Sequence, residues 1–152
     1  MAVMRLRAYA FGLLLSFGLS AQARWVKRIT NAPGDWHGRA VAFDDTRDRV
    51  LLYGGLSSAA VSNDLWSWDG VRWRLVSTGG ANRYDAKMAF DSNRGVAVVC
   101  GGVGSSGRVL HTSEWDGAAW KNIAAMPGPG GRIFHTMAYD SKRARVMSMA
   151  LS

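Results

Sequence analysis

The chain has 152 residues, of which 48% are hydrophobic and 20% are charged, so it is long enough for one ordinary globular domain and too apolar for disorder. Its 1 cysteine excludes an intrachain disulfide and a cysteine-based metal cluster. Its 18 glycines and 7 tryptophans favour many short strands joined by turns, and its formal net charge of +8 is compatible with an anionic partner.

The first 23 residues have the parts of a secretory signal peptide. Arg5 and Arg7 precede an apolar stretch at 8–19, and the segment at 21–23 reads Ala-Gln-Ala, the small-x-small pattern of a cleavage site. The apolar stretch is shorter than the roughly 20 residues that span a bilayer. We therefore expect an exported protein, secreted or periplasmic, with a mature chain of 24–152 and no membrane span after cleavage.

The rest of the chain repeats itself with a period of about 47 residues. Trp-Asp-Gly at 68–70 recurs at 115–117, and Gly-Gly at 54–55 recurs at 101–102, in both cases after a shift of 47. An aromatic residue followed by Asp marks all three periods, at 43–44, 90–91 and 139–140, and an Asx turn is expected at each of these aspartates. The predicted repeats cover approximately 36–80, 83–127 and 132–152.

Each full period contains four short runs that are typical of strands, separated by turn residues. In the first period the predicted strands are 40–43, 50–53, 65–68 and 73–76, and Asp69-Gly70 is a hairpin signal between the last two. The second period predicts strands at 87–90, 97–100, 112–115 and 120–123, and the third at 135–139 and 146–149. Four antiparallel strands in about 47 residues is the size of one propeller blade.

These repeats resemble the Kelch family of β-propellers. The resemblance rests on the Gly-Gly pair after the second strand, the Trp of the fourth strand, and Arg132 followed by His-Thr-Met-Ala-Tyr-Asp at 135–140. The form Asp-Leu-Trp-x-Trp-Asp-Gly within 63–70 is similar to secreted bacterial members. The resemblance implies an all-β fold, an incomplete β-propeller of about two and a half four-stranded Kelch-like blades, since four blades need about 190 residues at this period.

Two other propeller families share part of the pattern. The Trp-Asp pairs resemble WD repeats, but the Gly-Gly pairs and the missing Gly-His elements favour Kelch. The segment at 67–73 resembles a sialidase Asp box but lacks one residue between Asp and Gly.

The loops between predicted blades, together with the loops between second and third strands on the same face, are the expected contact surface of a binding or scaffold module for a protein or a glycan. The candidate ligand-contact residues in these loops are Trp36, Arg83, Arg108 and Arg132. Residues that recur once per period are instead expected to be structural, the tryptophans packing between blades and the glycines allowing close backbone approach. These structural markers are Gly54, Gly55, Gly101, Gly102, Trp25, Trp73 and Trp120.

No catalytic constellation is apparent, so we expect neither an enzyme nor a bound cofactor or metal. A galactose-oxidase resemblance would imply a Tyr–Cys cross-link with His ligands, but Cys100 lies in a repeated strand and the histidines are scattered. The alternatives are a fragment of a secreted propeller enzyme, sialidase-like or galactose-oxidase-like, and a non-functional truncated product. Motifs for binding nucleic acid are missing. Because unpaired apolar strands would remain at both ends, self-association or a partner that supplies further blades is expected.

Export gives the first prediction. Protein recovered from outside the cytoplasm should have lost its first 23 residues, so that Arg24 becomes the N-terminus, and intact-mass measurement would detect this. Recovery of the full-length chain from the cytosol would contradict the predicted leader.

Overall fold

The structure, a computed structural model, describes residues 32–123 and 131–150. The predicted leader at 1–23 and the marker Trp25 lie outside the described residues. The described residues form an all-β fold. Their strands are arranged in four small antiparallel sheets, and there is no helix among them.

Three of the sheets follow the sequence repeats. Sheet 1 has the order β1-β2-β3-β4, with β1 (Ala40–Asp44), β2 (Arg49–Tyr53), β3 (Leu65–Trp68) and β4 (Trp73–Ser77). Sheet 2 has the order β10-β9-β6-β5, with β5 (Lys87–Asp91), β6 (Val96–Cys100), β9 (Thr112–Trp115) and β10 (Trp120–Ile123). Sheet 3 pairs β11 (His135–Asp140) with β12 (Arg145–Ala150).

All ten predicted strands are present, and their ends differ from the predicted ones by no more than one residue. The fourth sheet was not predicted. It is a hairpin of β7 (Val103–Gly104) and β8 (Gly107–Arg108), inserted between the second and third strands of sheet 2. Ser105 and Ser106 connect its two strands.

The sheets lie side by side through their first strands, β1 against β5 and β5 against β11. Sheets 1 and 2 enclose the main apolar core, to which sheet 1 contributes Leu51 and Tyr53 and sheet 2 contributes Met88, Phe90 and Val99. Full burial of such side chains stabilises a fold by roughly 1.5–3 kcal/mol each. The core therefore holds two successive repeats together.

The turn between the first two strands has the same local design in sheets 1, 2 and 3. Asp91 Oδ1 accepts from the backbone N–H groups of Asn93 and Arg94, at 3.1 Å each, and Asp91 Oδ2 accepts from Arg94 Nε at 2.7 Å. Asp140 binds Arg143 in the same way. An Asp at the start of this turn, capping the following amides, is what the repeated aromatic-Asp pair predicts. The Asx turn is confirmed.

The glycine pairs join each sheet to the next. The Gly55 N–H donates to the carbonyl oxygen of Arg83 at 2.9 Å, and the Gly102 N–H donates to that of Arg132 at 2.8 Å. The glycines of both pairs have φ between +67° and +118°, a region that side chains disfavour. A Cβ on the first glycine of either pair would also collide with the same carbonyl oxygen. The predicted close backbone approach at these glycines is confirmed.

A comparison of two glycines with the same backbone conformation separates the energetic cost of this collision from the cost of backbone strain. Gly101 and Gly95 both have φ +67°, but a Cβ on Gly101 would meet the Arg132 carbonyl, whereas a Cβ on Gly95 would meet nothing within 4 Å. Both alanine variants bear the strain of a left-handed residue. We expect Gly101→Ala to lower the free energy of unfolding by about 2 kcal/mol more than Gly95→Ala does, because of overpacking. Equal losses in chemical denaturation would contradict this account of the pair.

Candidate functional site

The loops that follow the second strands lie together with the segments that precede the first strands. His37 exchanges two backbone hydrogen bonds with Leu56, at 3.1 and 2.9 Å, and Tyr84 exchanges two with Val103, at 3.0 and 2.9 Å. We call this region the loop end. Its members are 34–39, 54–64, 81–86, 101–111 and 131–134.

The unpredicted hairpin lines a cavity of about 500 Å³ at the loop end. Its lining consists of Asn82, Gly104, Ser105, Ser106, Gly107, Arg108, Val109, Leu110 and His111. A small-molecule site occupies roughly 300–1,000 Å³, so the cavity has a suitable size. The Gly-Ser-Ser-Gly segment at 104–107 is the sequence signal that could have revealed the hairpin, since glycines that flank two small polar residues are typical of a turn.

Cationic and hydroxyl groups dominate the polar part of this lining. Arg108, Ser105 and Ser106 are exposed, and all three line the cavity. The lining, as far as the structure describes it, contains no carboxylate. Gly131 packs on the stem of Arg108, since a Cβ built on this glycine would be 2.9 Å from Arg108 Cβ, so the segment that carries Arg132 borders the cavity.

Arg83 is not an exposed contact residue, and its prediction as one is wrong. Its side chain is fully buried, with Nη2 donating to Ser113 Oγ at 2.9 Å and Nη1 donating to the Gly101 carbonyl at 3.3 Å. The Ser113 hydroxyl in turn donates to Asn122 Oδ1 at 2.9 Å. A buried guanidinium is tolerated when hydrogen bonds replace its water. The sequence placed Arg83 in a loop but could not show that its side chain points inward.

The buried guanidinium also fixes the state of His111 in the cavity wall. Arg83 Nη2 lies 3.2 Å from His111 Nε2. Burial, and then the charge of Arg83, lower the pKa of His111. Because a guanidinium only donates, Nε2 is the acceptor and the proton of the neutral ring lies on Nδ1. His111 is therefore a neutral hydrogen-bonding group at physiological pH.

The remaining predicted contact residues occupy different parts of the loop end. Trp36 is half-buried beside Gly55, and the Arg39 guanidinium lies 5.7 Å from its ring centroid. Arg132 is half-buried, with its carbonyl engaged by the Gly102 amide. The structure thus brings together the segments that carry Arg108 and Arg132, and it places Trp36 next to the glycine pair of sheet 1.

The repeated tryptophans lie within or between sheets. Trp120 packs on Tyr53 of sheet 1, with ring centroids 4.7 Å apart, and its Nε1 donates to Ser77 Oγ at 3.1 Å. Trp73 packs on Trp68 of its own sheet at 5.6 Å and is half-buried. The ring of Trp120 therefore bridges two sheets, as predicted for the recurring tryptophans, whereas the aromatic contact of Trp73 lies within its own sheet.

Within 32–123 and 131–150, no three His, Cys, Asp or Glu side chains are grouped so that they could hold a metal ion. In the same ranges, no helix has the length and apolar character to cross a membrane.

Comparison with protein-family models gave no match for this chain, and comparison with curated proteins found no similar sequence. The Kelch resemblance therefore stays a prediction from the repeated motifs.

Two histidines give the fold a pH dependence of known sign. Burial lowers the pKa of His135, which is packed against Gly101, and burial together with Arg83 lowers that of His111. Below the ordinary histidine pKa of about 6.5, the unfolded chain therefore binds more protons than the folded chain does. The contribution of the two neutral histidines to the free energy of unfolding is fully present above that pH and is lost as the pH falls through the folded pKa values.

We expect the urea midpoint to be lower at about pH 5 than at about pH 7.5, and His135→Gln to reduce the difference. The same substitution at the exposed His37 is the control. An unchanged difference in the His135 variant would contradict this assignment.

Proposed function

We propose that the chain is an incomplete Kelch-like β-propeller of about two and a half blades that acts as an exported binding module. Three features support this architecture. The sheets follow a repeat of 47 residues, the strands of each full repeat pair in chain order, and the first strands of successive sheets lie side by side. Blades that place their first strands together around a centre are the arrangement of a propeller.

We further propose that the loop end binds an acidic glycan. The observation that carries this proposal is the cavity along 104–111, with Arg108 and two serine hydroxyls in a lining that includes no described carboxylate. A guanidinium binds a carboxylate through two parallel hydrogen bonds, which gives both affinity and orientation. Serine hydroxyls and the neutral ring of His111 match the hydroxyl groups of a sugar.

Apolar surface beside these groups suits the faces of sugar rings. Leu110 lines the cavity and is 64% exposed. A ligand that covers this leucine would gain free energy of binding from the burial of its apolar surface. Binding sites for small molecules combine apolar walls with a few polar groups that fix orientation. The predicted export favours an extracellular anionic polymer as the source of the ligand, and so does the net charge, which falls from +8 to +6 when Arg5 and Arg7 leave with the predicted leader.

The test is isothermal titration of the chain with an oligosaccharide of uronic acids and with its neutral counterpart. We expect binding of the acidic form only, weakening with added salt. Arg108→Gln should weaken binding about tenfold or more, because a charge-assisted hydrogen bond contributes about 1.5–3 kcal/mol.

The control is Arg72→Gln, which removes the same charge from an exposed arginine that lies near Asp69 in the β3–β4 turn. It should leave the affinity unchanged. Equal affinity for the neutral oligosaccharide, or an equal loss in the two variants, would contradict an anion site at Arg108.

A further inference from the structure

Equivalent apolar positions of two successive repeats differ in exposure: they are buried in sheet 2 and exposed in sheet 1. Met88 and Phe90 of sheet 2 are 5% and 8% exposed, because sheet 1 covers them. The residues 47 positions earlier, Val41 and Phe43 of sheet 1, are 57% and 52% exposed. Sheet 1 thus repeats the face with which sheet 2 contacts its neighbour.

This face of sheet 1 is apolar across all four strands. The cross-strand register places Leu52 opposite Val41 and Trp66, and Val50 opposite Phe43 and Trp68. Trp73 and Leu75 complete the same face from β4. Contiguous apolar patches of several side chains on a protein surface mark interaction sites. We call this surface the leading face.

Sheet 3 has the complementary surface at the other end of the stack. Met147 and Met149 of β12 are equivalent to Leu51 and Tyr53 of β2. In each strand the two residues lie two and four positions after the arginine that pairs with the turn aspartate. Leu51 and Tyr53 are buried under sheet 2, whereas Met147 and Met149 are 58% and 71% exposed. We call the surface of Met147, Met149, Thr136 and Ala138 the trailing face.

The two faces are the two halves of one kind of contact. Inside the stack, a trailing face of sheet 1, with small side chains on β1 and large ones on β2, covers the leading face of sheet 2. Sheet 3 likewise has a small side chain on its first strand and large ones on its second. Ala138 is equivalent to Ala42, and the two methionines are equivalent to Leu51 and Tyr53. A shallow cavity of about 240 Å³ in sheet 3, with Ala138, Met147 and Met149 among its lining residues, would accept an apolar side chain from a facing sheet.

We propose that the trailing face of one copy docks on the leading face of a second copy, so that the stack continues head to tail. Stable stacks of repeats have polar outer faces, whereas the outer faces of sheets 1 and 3 in the described stack carry exposed apolar side chains. A contact between two different patches is heterologous and forms a ring where the rotation closes.

This association does not depend on the proposed glycan site. The contact uses the broad faces of sheets 1 and 3, whereas the cavity lies at the loop end of sheet 2. Loss of glycan binding in Arg108→Gln therefore says nothing about the contact between copies, and the two proposals fail separately.

The experiment is sedimentation of the purified chain over a wide range of concentration. We expect reversible association, as a closed dimer or as longer head-to-tail oligomers. Phe43→Lys on the leading face and Met149→Lys on the trailing face should each weaken self-association at least tenfold, since each buries an unpaired charge. Both side chains are exposed in the single copy, so circular dichroism should show folded variants.

The control is Val71→Lys, which adds the same charge at a 70% exposed apolar residue in the β3–β4 turn, away from both faces. It should associate as the unchanged chain does. Equal weakening by Val71→Lys would overturn the assignment of the contact to the two faces.

Mixing the two face variants identifies the direction of the contact. The intact trailing face of Phe43→Lys and the intact leading face of Met149→Lys should pair, so the mixture should form heterodimers although neither variant associates alone. Association of Met149→Lys alone would indicate a contact between two leading faces and overturn the proposal. A monomer at all concentrations, with the leading face covered by other residues of the same chain, would also overturn it.

Discussion

One backbone hydrogen bond sets the relation between successive sheets. The second glycine of each Gly-Gly pair donates to the carbonyl of the arginine that precedes the next sheet. The bond requires a left-handed backbone and space without a Cβ, and glycine alone supplies both at no steric cost. Since this bond fixes where the next first strand begins, it places β5 beside β1 and β11 beside β5. The core and the loop end both follow from that placement.

The same repeat position then acquires a different role when its neighbours differ. Arg83 and Arg132 both offer a carbonyl to a glycine amide. The side chain of Arg83 continues inward because β9 presents Ser113 and the adjoining loop presents His111. The structure describes two strands of sheet 3, and within them no equivalent of Ser113 faces Arg132, which is half-buried. A shared motif therefore fixes the backbone and leaves the side chain to its surroundings.

The distribution of charge gives the two ends of the sheets different chemistry. At the turns between first and second strands, Arg47, Arg94 and Arg143 are each held by an aspartate three residues earlier. Although burial acts to raise it, hydrogen bonds from Arg94 hold the pKa of Asp91 below its ordinary value. Arg108 at the loop end has no ion pair within the described part of the chain, so its positive charge is available to a ligand. Net charge alone did not reveal this difference.

The sequence by itself determined the repeat, the ten strands within it and the Asx turns, because these depend on neighbours along the chain or on one strand pairing with the next. The recurrence of Gly-Gly also marked 54–55 and 101–102, although glycine is needed there because of carbonyl groups in the next repeat. The sequence also placed Arg132 in a loop, whereas Arg108, predicted in a loop, lies in β8 of the hairpin. Only the tertiary structure decided that Arg83 is buried, that the segment at 103–108 forms a hairpin wall, and that Val41 and Met147 lie on open faces. Side-chain direction in a loop, and the burial of a strand's face, depend on groups far away in the chain, and no local pattern records them.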